Sequence, residues 1–176
     1  MLNRINVLSS FFRSIYFLPF VTSTVAVSIV WNWLYHTRYG LINYFLSFVG
    51  VEPMAWLTNP KFALPALIIM SIWKGLGYNI ILFLVGLNNI DKNYYRAARV
   101  DGASNWQQFV NITMPLLNPY ILLVSIIGVI NSFKVFTEVY SLFSGRPGPA
   151  GSALTMVFYI YEKFYTEYQY GVATVA

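Results

Sequence analysis

Apolar residues run along this chain in long blocks separated by short polar stretches. The first uncharged block is Ser14 to Tyr35, SIYFLPFVTSTVAVSIVWNWLY. As a helix it would rise about 33 Å at about 1.5 Å per residue, enough for a hydrocarbon core of roughly 30 Å. Arg13 and Arg38 flank it, and Trp31, Trp33 and Tyr35 gather at its far end like an interfacial belt. Pro19 falls in its first turns, where a missing N–H costs least. A second block, Phe62 to Leu87, contains one charge, Lys74, near its middle. A third runs from Met114 to Phe133, with Pro115 and Pro119 near its start. The approximate spans are 14–35, 62–87 and 114–134, and another apolar run starts from residue 170 with GVATVA. The pattern predicts one all-α domain over residues 1–176, a polytopic transmembrane helical bundle.

The intervening stretches differ in character. Thr37 to Lys61 mixes Gly40, Gly50, Pro53, Asn59 and Pro60 with a short amphipathic piece, LINYFLSFVG, suited to lie along an interface. Gly145 to Gly151, GRPGPAG, is a loop. Ala153 to Tyr168 is aromatic but interrupted by Glu162, Lys163 and Glu167, so it is not expected to span. Met1 to Ser10 carries Asn3, Arg4 and Asn6 with no signal-peptidase pattern behind it.

The stretch between the second and third blocks is a polar island, NYYRAARVDGASNWQQFVNITMPLLNP from Asn93 to Pro119. Asp91 is placed to cap a helix over Lys92 to Val100, and Gly102 to end it in a left-handed turn. Ser104 followed by Gln107 is a capping-box pattern for a second helix running toward Ile112. Asp101 is placed to bond backbone N–H groups of the following segment and hold the bend. Arg96 and Arg99, one turn apart, are available to acidic groups on a partner or to lipid phosphates.

Composition narrows the class. The chain is 57% hydrophobic and 10% charged, whereas soluble domains carry about 25% charged residues. So few charges cannot cover a water-exposed surface, and lipid must solvate much of it. There is no cysteine and only one histidine, which excludes disulfides and thiolate chemistry and leaves no ligand set for tetrahedral zinc. The net charge of +5 fits anchoring at a membrane face better than nucleic-acid binding. If the spans alternate, Arg4, Arg13, Lys92, Arg96 and Arg99 fall on one side. Arg38, Lys61, Arg146 and Lys163 fall on the other, with Lys134 near that edge. The clustering in the island places that side in the cytoplasm.

Few residues suggest chemistry. A charge near mid-bilayer costs roughly 2.5 to 3.5 kcal/mol on insertion scales, so Lys74 is a functional candidate. It faces a translocation path, pairs with another helix, or snorkels to water at a kink near Gly75 and Gly77. Gly75-x-Gly77 lies inside an apolar run and reads as close helix packing or flexing, not as a phosphate loop. Asn79, Asn131 and Ser132 are either pathway groups or helix-to-helix hydrogen bonders. His36 reads as an interfacial residue. Glu138, Glu162 and Glu167 are scattered, without the pairing that hydrolysis needs. No G-x-x-x-x-G-K-[ST] occurs, so no nucleotide is hydrolysed here and no cofactor is expected in this chain.

The island resembles the cytoplasmic loop of the membrane subunits of binding-protein-dependent ABC importers. In that family Glu-Ala-Ala is followed after three residues by Gly, and about nine residues later by Ile-x-Leu-Pro. Ala97, Ala98 and Gly102 match, as do Ile112, Met114 (in place of Leu) and Pro115. Asp101, Gly102 and Ala103 match the Asp-Gly-Ala of the sugar-transporting branch. The Glu position holds Arg96 instead. Nearly the whole chain is similar to the maltose-type and glycerol-3-phosphate-type permeases. The resemblance implies a partial type I permease core, lacking two preceding helices and most of a final one. It implies a second permease subunit in a heterodimer, two ATPase subunits carrying ATP and Mg, and an extracytoplasmic solute-binding protein. The setting would be a prokaryotic plasma membrane and the solute a sugar. Arg96, Ala97, Ala98, Arg99, Asp101, Gly102 and Ala103 would form the ATPase-coupling loop within 91–112. Lys74, Asn79 and Asn131 would be pathway candidates. The alternatives are a glycerol-3-phosphate or other small-solute permease, and an ion-coupled secondary transporter, which calls for intramembrane carboxylates.

Overall fold

The computed structural model describes residues 18–175. Its α-helices are α1 (Thr24–Leu34), α2 (Leu41–Ser47), α3 (Pro60–Asn89), α4 (Lys92–Val100), α5 (Asn105–Gln108), α6 (Met114–Phe133), α7 (Thr137–Leu142), α8 (Met156–Tyr161) and α9 (Tyr170–Ala173). No strand occurs among the described residues. A π-helical turn, Phe109–Thr113, joins α5 to α6, and the two make one unbroken helix of 29 residues.

This helix and α3, which has 30 residues, are long and apolar enough to cross a membrane. Only 11% of the apolar window of each is buried within the chain. A core helix of a water-soluble protein is covered on most sides, whereas Ile68, Ile72, Leu76, Leu122, Ile126 and Val129 all stand exposed here. Both helices carry proline, Pro65 in α3 and Pro119 in α6.

The first apolar block departs from expectation. Residues 18–21 are helical, but Ser23 is extended (φ −52°, ψ 131°) and α1 starts afresh at Thr24 with 11 residues. At about 17 Å, α1 is too short to cross a hydrocarbon core alone. The break falls in the Thr22-Ser23-Thr24 run, residue types that favour helix starts, although Ser23 makes no side-chain cap bond. An uncharged run reports its solvent, not its continuity. Residues 14–17 of that expected span lie outside the described part.

Two compact units are present, and the two long helices contribute residues to both. One contains residues 21–74 and 131–175 of the described chain. Its core is built from Val27 and Trp31 of α1 and Tyr35 at its C-terminal cap, from Ala63, Ala66, Leu67 and Met70 of α3, and from Val139, Leu142, Phe143, Ala153 and Phe158. The α1 and α3 positions recur at helical spacing, so each helix turns one stripe inward. Ala63 and Ala66 are fully buried, and the Tyr35 hydroxyl donates to the Ala66 carbonyl at 2.8 Å. Asn32 donates from Nδ2 to the Leu142 carbonyl at 3.0 Å.

The loop after α1 is organised by buried Asn43. Its Nδ2 donates to the carbonyls of Thr37 (3.1 Å) and Met54 (2.8 Å). Its Oδ1 accepts from Met54 N–H (3.1 Å) and Trp56 Nε1–H (2.9 Å). Four bonds fill the capacity of the amide, so a polar side chain sits there without penalty. The expected interfacial piece forms α2, with Tyr44, Phe45 and Phe48 exposed. His36 is structural: its Nδ1 accepts from the backbone N–H groups of Arg38 and Tyr39. The loop over 145–151 is sharply folded, with positive φ at Ser144, Gly145, Gly148, Ala150 and Gly151.

Of the described residues, the other unit contains 18–20 and 75–130. Here α3 meets α6 at Gly86. A Cβ at Gly86 would lie 2.7 Å from Leu117 Cδ2 and 2.8 Å from the Tyr120 ring, so only glycine permits this approach. Asn89 Nδ2 donates to the Tyr120 hydroxyl at 2.7 Å beside that contact. Gly75 has nothing within 4 Å of where its Cβ would be. Close packing therefore belongs to Gly86 and not to Gly75.

Candidate functional site

The island folds as two helices around a tight bend. Asp91 accepts Asn93 N–H on Oδ1 at 2.9 Å and starts α4. At the other end Gly102 takes φ +77°. Ala103 N–H then reaches back to the Ala98 carbonyl (2.9 Å), and Gly102 N–H to the Arg99 carbonyl (3.2 Å). These are the two bonds of a Schellman ending, which satisfies carbonyls that a helix end leaves open. The next helix begins at once. Ser104 Oγ accepts Gln107 N–H (3.3 Å), and Gln107 Oε1 accepts Ser104 N–H (2.8 Å), completing the capping box. Backbone bonds and this box hold the bend. Asp101 supplies no described side-chain hydrogen bond to the segment that follows, contrary to its expected role.

Within the bend the candidate residues divide by exposure. Arg96, Ala97, Arg99, Asp101 and Gly102 are exposed, while Ala98 and Ala103 are half-buried. Arg96 donates to Asn93 Oδ1 (3.4 Å) and Arg99 donates from Nε to the Tyr95 carbonyl (3.1 Å). Both guanidinium groups lie along their own helix, exposed to solvent. Val100 and Trp106 are 88% and 71% exposed, and Trp106 stacks on Phe109 with centroids 5.7 Å apart. A polar bend therefore carries an apolar fringe that the chain itself leaves uncovered.

The second helix does not stop at Ile112. It continues through the π turn into α6, with Met114 N–H bonded to the Phe109 carbonyl five residues back. Pro115 supplies the reason. It has no N–H, and its ring would strike the carbonyl of Asn111 in a regular α-helix, so the chain widens by one residue just before it. Within this turn Thr113 is buried and shares a hydrogen bond of 2.8 Å with the Tyr95 hydroxyl of α4. Tyr95 and Thr113 drew no attention in the sequence. The Thr-x-Pro spacing at Thr113 and Pro115 is the signal that marks them.

Lys74 pairs with other helices. Its ammonium donates to Thr24 Oγ1 at the start of α1 and lies 3.8 Å from Glu138 Oε1 on α7. Both side chains are about one-fifth exposed (20% and 21%). The α3 helix runs unbroken past it. Of the three readings of Lys74, this geometry matches helix pairing. Asn79 is half-buried and Asn131 exposed. No group of three or more metal-ligating side chains occurs among the described residues.

Comparison with known proteins places this geometry in a family. The model for the binding-protein-dependent transport system inner membrane component matches residues 2–176. The chain is 40% identical to the lactose transport system permease protein LacF of Rhizobium radiobacter, over 96% of this chain and 57% of that protein. It is 35% identical to the trehalose/maltose transport system permease protein MalF of Thermococcus litoralis, over 92% of this chain and 54% of that protein. The chain thus spans little more than half the length of these relatives. A chain in the crystal structure of a bacterial ABC transporter involved in import of the acidic polysaccharide alginate superposes with a TM-score of 0.84 at 28% identity. That match covers 99% of this chain and 62% of the other. From a match over nearly its whole length and relatives of this kind, the chain belongs to the family of inner membrane components of binding-protein-dependent transport systems.

Proposed function

We propose that this chain forms part of the translocation pathway of an ABC importer for a sugar or oligosaccharide in a prokaryotic plasma membrane. In this reading α3 and the α5–α6 helix cross the bilayer and the island faces the cytoplasm. A second permease subunit completes the pathway, and a solute-binding protein delivers the sugar from outside. ATP and Mg bind to two partner ATPase subunits, which do the hydrolysis. Arg96, Ala97, Ala98, Arg99, Asp101, Gly102 and Ala103 form the surface those subunits grip.

The observation that carries this reading is the closed hydrogen bonding of the island's bend. Its bend is closed by a side-chain cap, a Schellman ending and a capping box within 91–107. A partner that moves such an element moves it as a body, and ATP binding thereby biases the permease between two states. The sugar assignment is supported by relatives named for lactose, trehalose/maltose and arabinooligosaccharides. A binding-protein partner is supported by a solved alginate transporter in complex with a periplasmic protein, whose chain superposes on this one. The glycerol-3-phosphate alternative would need a free cation for the phosphate, and Lys74 is already engaged by Glu138 and Thr24.

The test is site-specific crosslinking in membranes containing the assembled transporter. Cysteine introduced at Ala98 or Ala103 is expected to capture an ATPase subunit from the cytoplasmic side. Capture of none, or labelling of those positions only from outside, overturns the docking reading. Uptake of a panel of labelled sugars by the same membranes tests the solute class.

A further inference from the structure

We infer that Tyr95 and Thr113 form a strut that makes the bent island and the α5–α6 helix move as one piece. Resting on the docking reading above, this names the residues through which a movement of the island reaches the membrane.

The bend at Asp101 to Ser104 joins α4 to α5 through a few residues, and a glycine lies among them. Backbone bonds fix its local shape, yet a force applied to α4 would still swing that helix about the bend. A bond across the open side of the hairpin prevents the swing. The Tyr95 hydroxyl supplies it, reaching from the middle of α4 to Thr113 Oγ1 at 2.8 Å.

The far end of the bond is anchored. Thr113 is 7% exposed and sits in the π turn. Its hydroxyl also lies 3.5 Å from the Gln108 carbonyl, and in the bond across the hairpin either hydroxyl can be the donor. Gln108, 9% exposed, returns the connection to the bend by donating from Nε2 to the Ala103 carbonyl at 2.9 Å. The bonds run from α4 to the π turn, to α5 and back to the bend, and so brace the hairpin. The π turn places Thr113 in this ring: the residue before Met114 would point elsewhere if Pro115 did not force the helix to widen. Tyr95 and Thr113 are therefore positioning residues.

The experiment uses the assembled transporter with its binding protein in proteoliposomes, measuring ATP hydrolysis and solute uptake together. Tyr95→Phe and Thr113→Val are each expected to keep ATP hydrolysis while uptake per ATP falls about fivefold to tenfold. The double variant should be no worse than either single one, and Thr113→Ser should restore the parent ratio. Uptake per ATP within twofold of the parent in both single variants overturns the inference. A second measurement guards against misfolding. The chain has no cysteine, so Tyr95→Cys with Thr113→Cys can be bridged by a short bifunctional maleimide. Bridging should raise uptake in that pair, because a fixed link replaces the lost bond. Loss of uptake on bridging overturns the inference, since it shows that the two elements must separate. The bridging result is read on uptake alone. It therefore still decides the strut if the Ala103 crosslink finds no ATPase and the docking reading falls.

Discussion

The ammonium of Lys74 lies 3.8 Å from Oε1 of Glu138, on a different helix of the same compact unit. Lys74 has no acidic residue nearby in sequence, and both side chains are covered on most sides. A charge so placed is costly alone and tolerable in company. The pair, with Thr24 as a third partner, ties the starts of α1 and α7 to the middle of α3.

Lys74→Met or Glu138→Gln alone should each lower stability by about 2 kcal/mol, the scale of a hydrogen bond to a charged group. Replacing both should cost clearly less than the sum, because no unpaired charge remains. Thermal unfolding of the detergent-solubilised protein checks this. Additive losses would show that the two groups do not depend on one another.

Gly86→Ala should weaken the contact between α3 and α6. The added methyl group meets Leu117 and the Tyr120 ring at under 3 Å, and overpacking of this kind costs about 1–3 kcal/mol. Gly75→Ala, where the added group meets nothing, should be neutral or slightly stabilising by helix propensity. The comparison of the two midpoints is the measurement, and equal losses would contradict the packing described.

Asn43→Leu removes four hydrogen bonds from the loop between α1 and α3. Several backbone groups and the Trp56 indole are then left wanting partners, at about 1–3 kcal/mol for each one that water fails to reach. A red-shifted or quenched Trp56 emission, isolated by removing the other tryptophans, should accompany the loss of stability. An unchanged spectrum would show that the loop does not depend on Asn43.

Gly102→Val should disable coupling more than Gly102→Ala, and Gly102→Asn least of all. No atom lies within 4 Å of the missing Cβ, so the left-handed backbone at φ +77° is the only obstacle. That obstacle is roughly 1–2 kcal/mol for an ordinary residue, more for a β-branched one and less for Asn. Uptake per ATP across the three variants tests the order.

How much of this was legible in the sequence depends on how local each signal is. The Asp91 cap, the Gly102 turn and the Ser104–Gln107 box each involve residues within a few positions, so the chain announces them directly. The Lys74–Glu138 pair is tertiary, and nothing near either residue points to the other. Gly75 draws attention by its spacing with Gly77 yet meets no neighbour, whereas Gly86, alone in an apolar run, is pressed against Leu117 and Tyr120. The uncharged block from Ser14 read as one span because hydropathy is blind to the backbone break at Ser23. The sequence runs the second island helix toward Ile112 and starts a new apolar block at Met114, because hydropathy marks the change of solvent there and not the course of the backbone. The structure widens there instead and runs on.

One consequence concerns the membrane itself. The 29 residues from Asn105 to Phe133 make a rod of about 44 Å, and a bilayer core is about 30 Å thick. Once inserted, such a rod leans further in a thin lipid film than in a thick one. The hairpin is fastened to its end, so acyl-chain length would set the angle it presents to the ATPase partner proposed above.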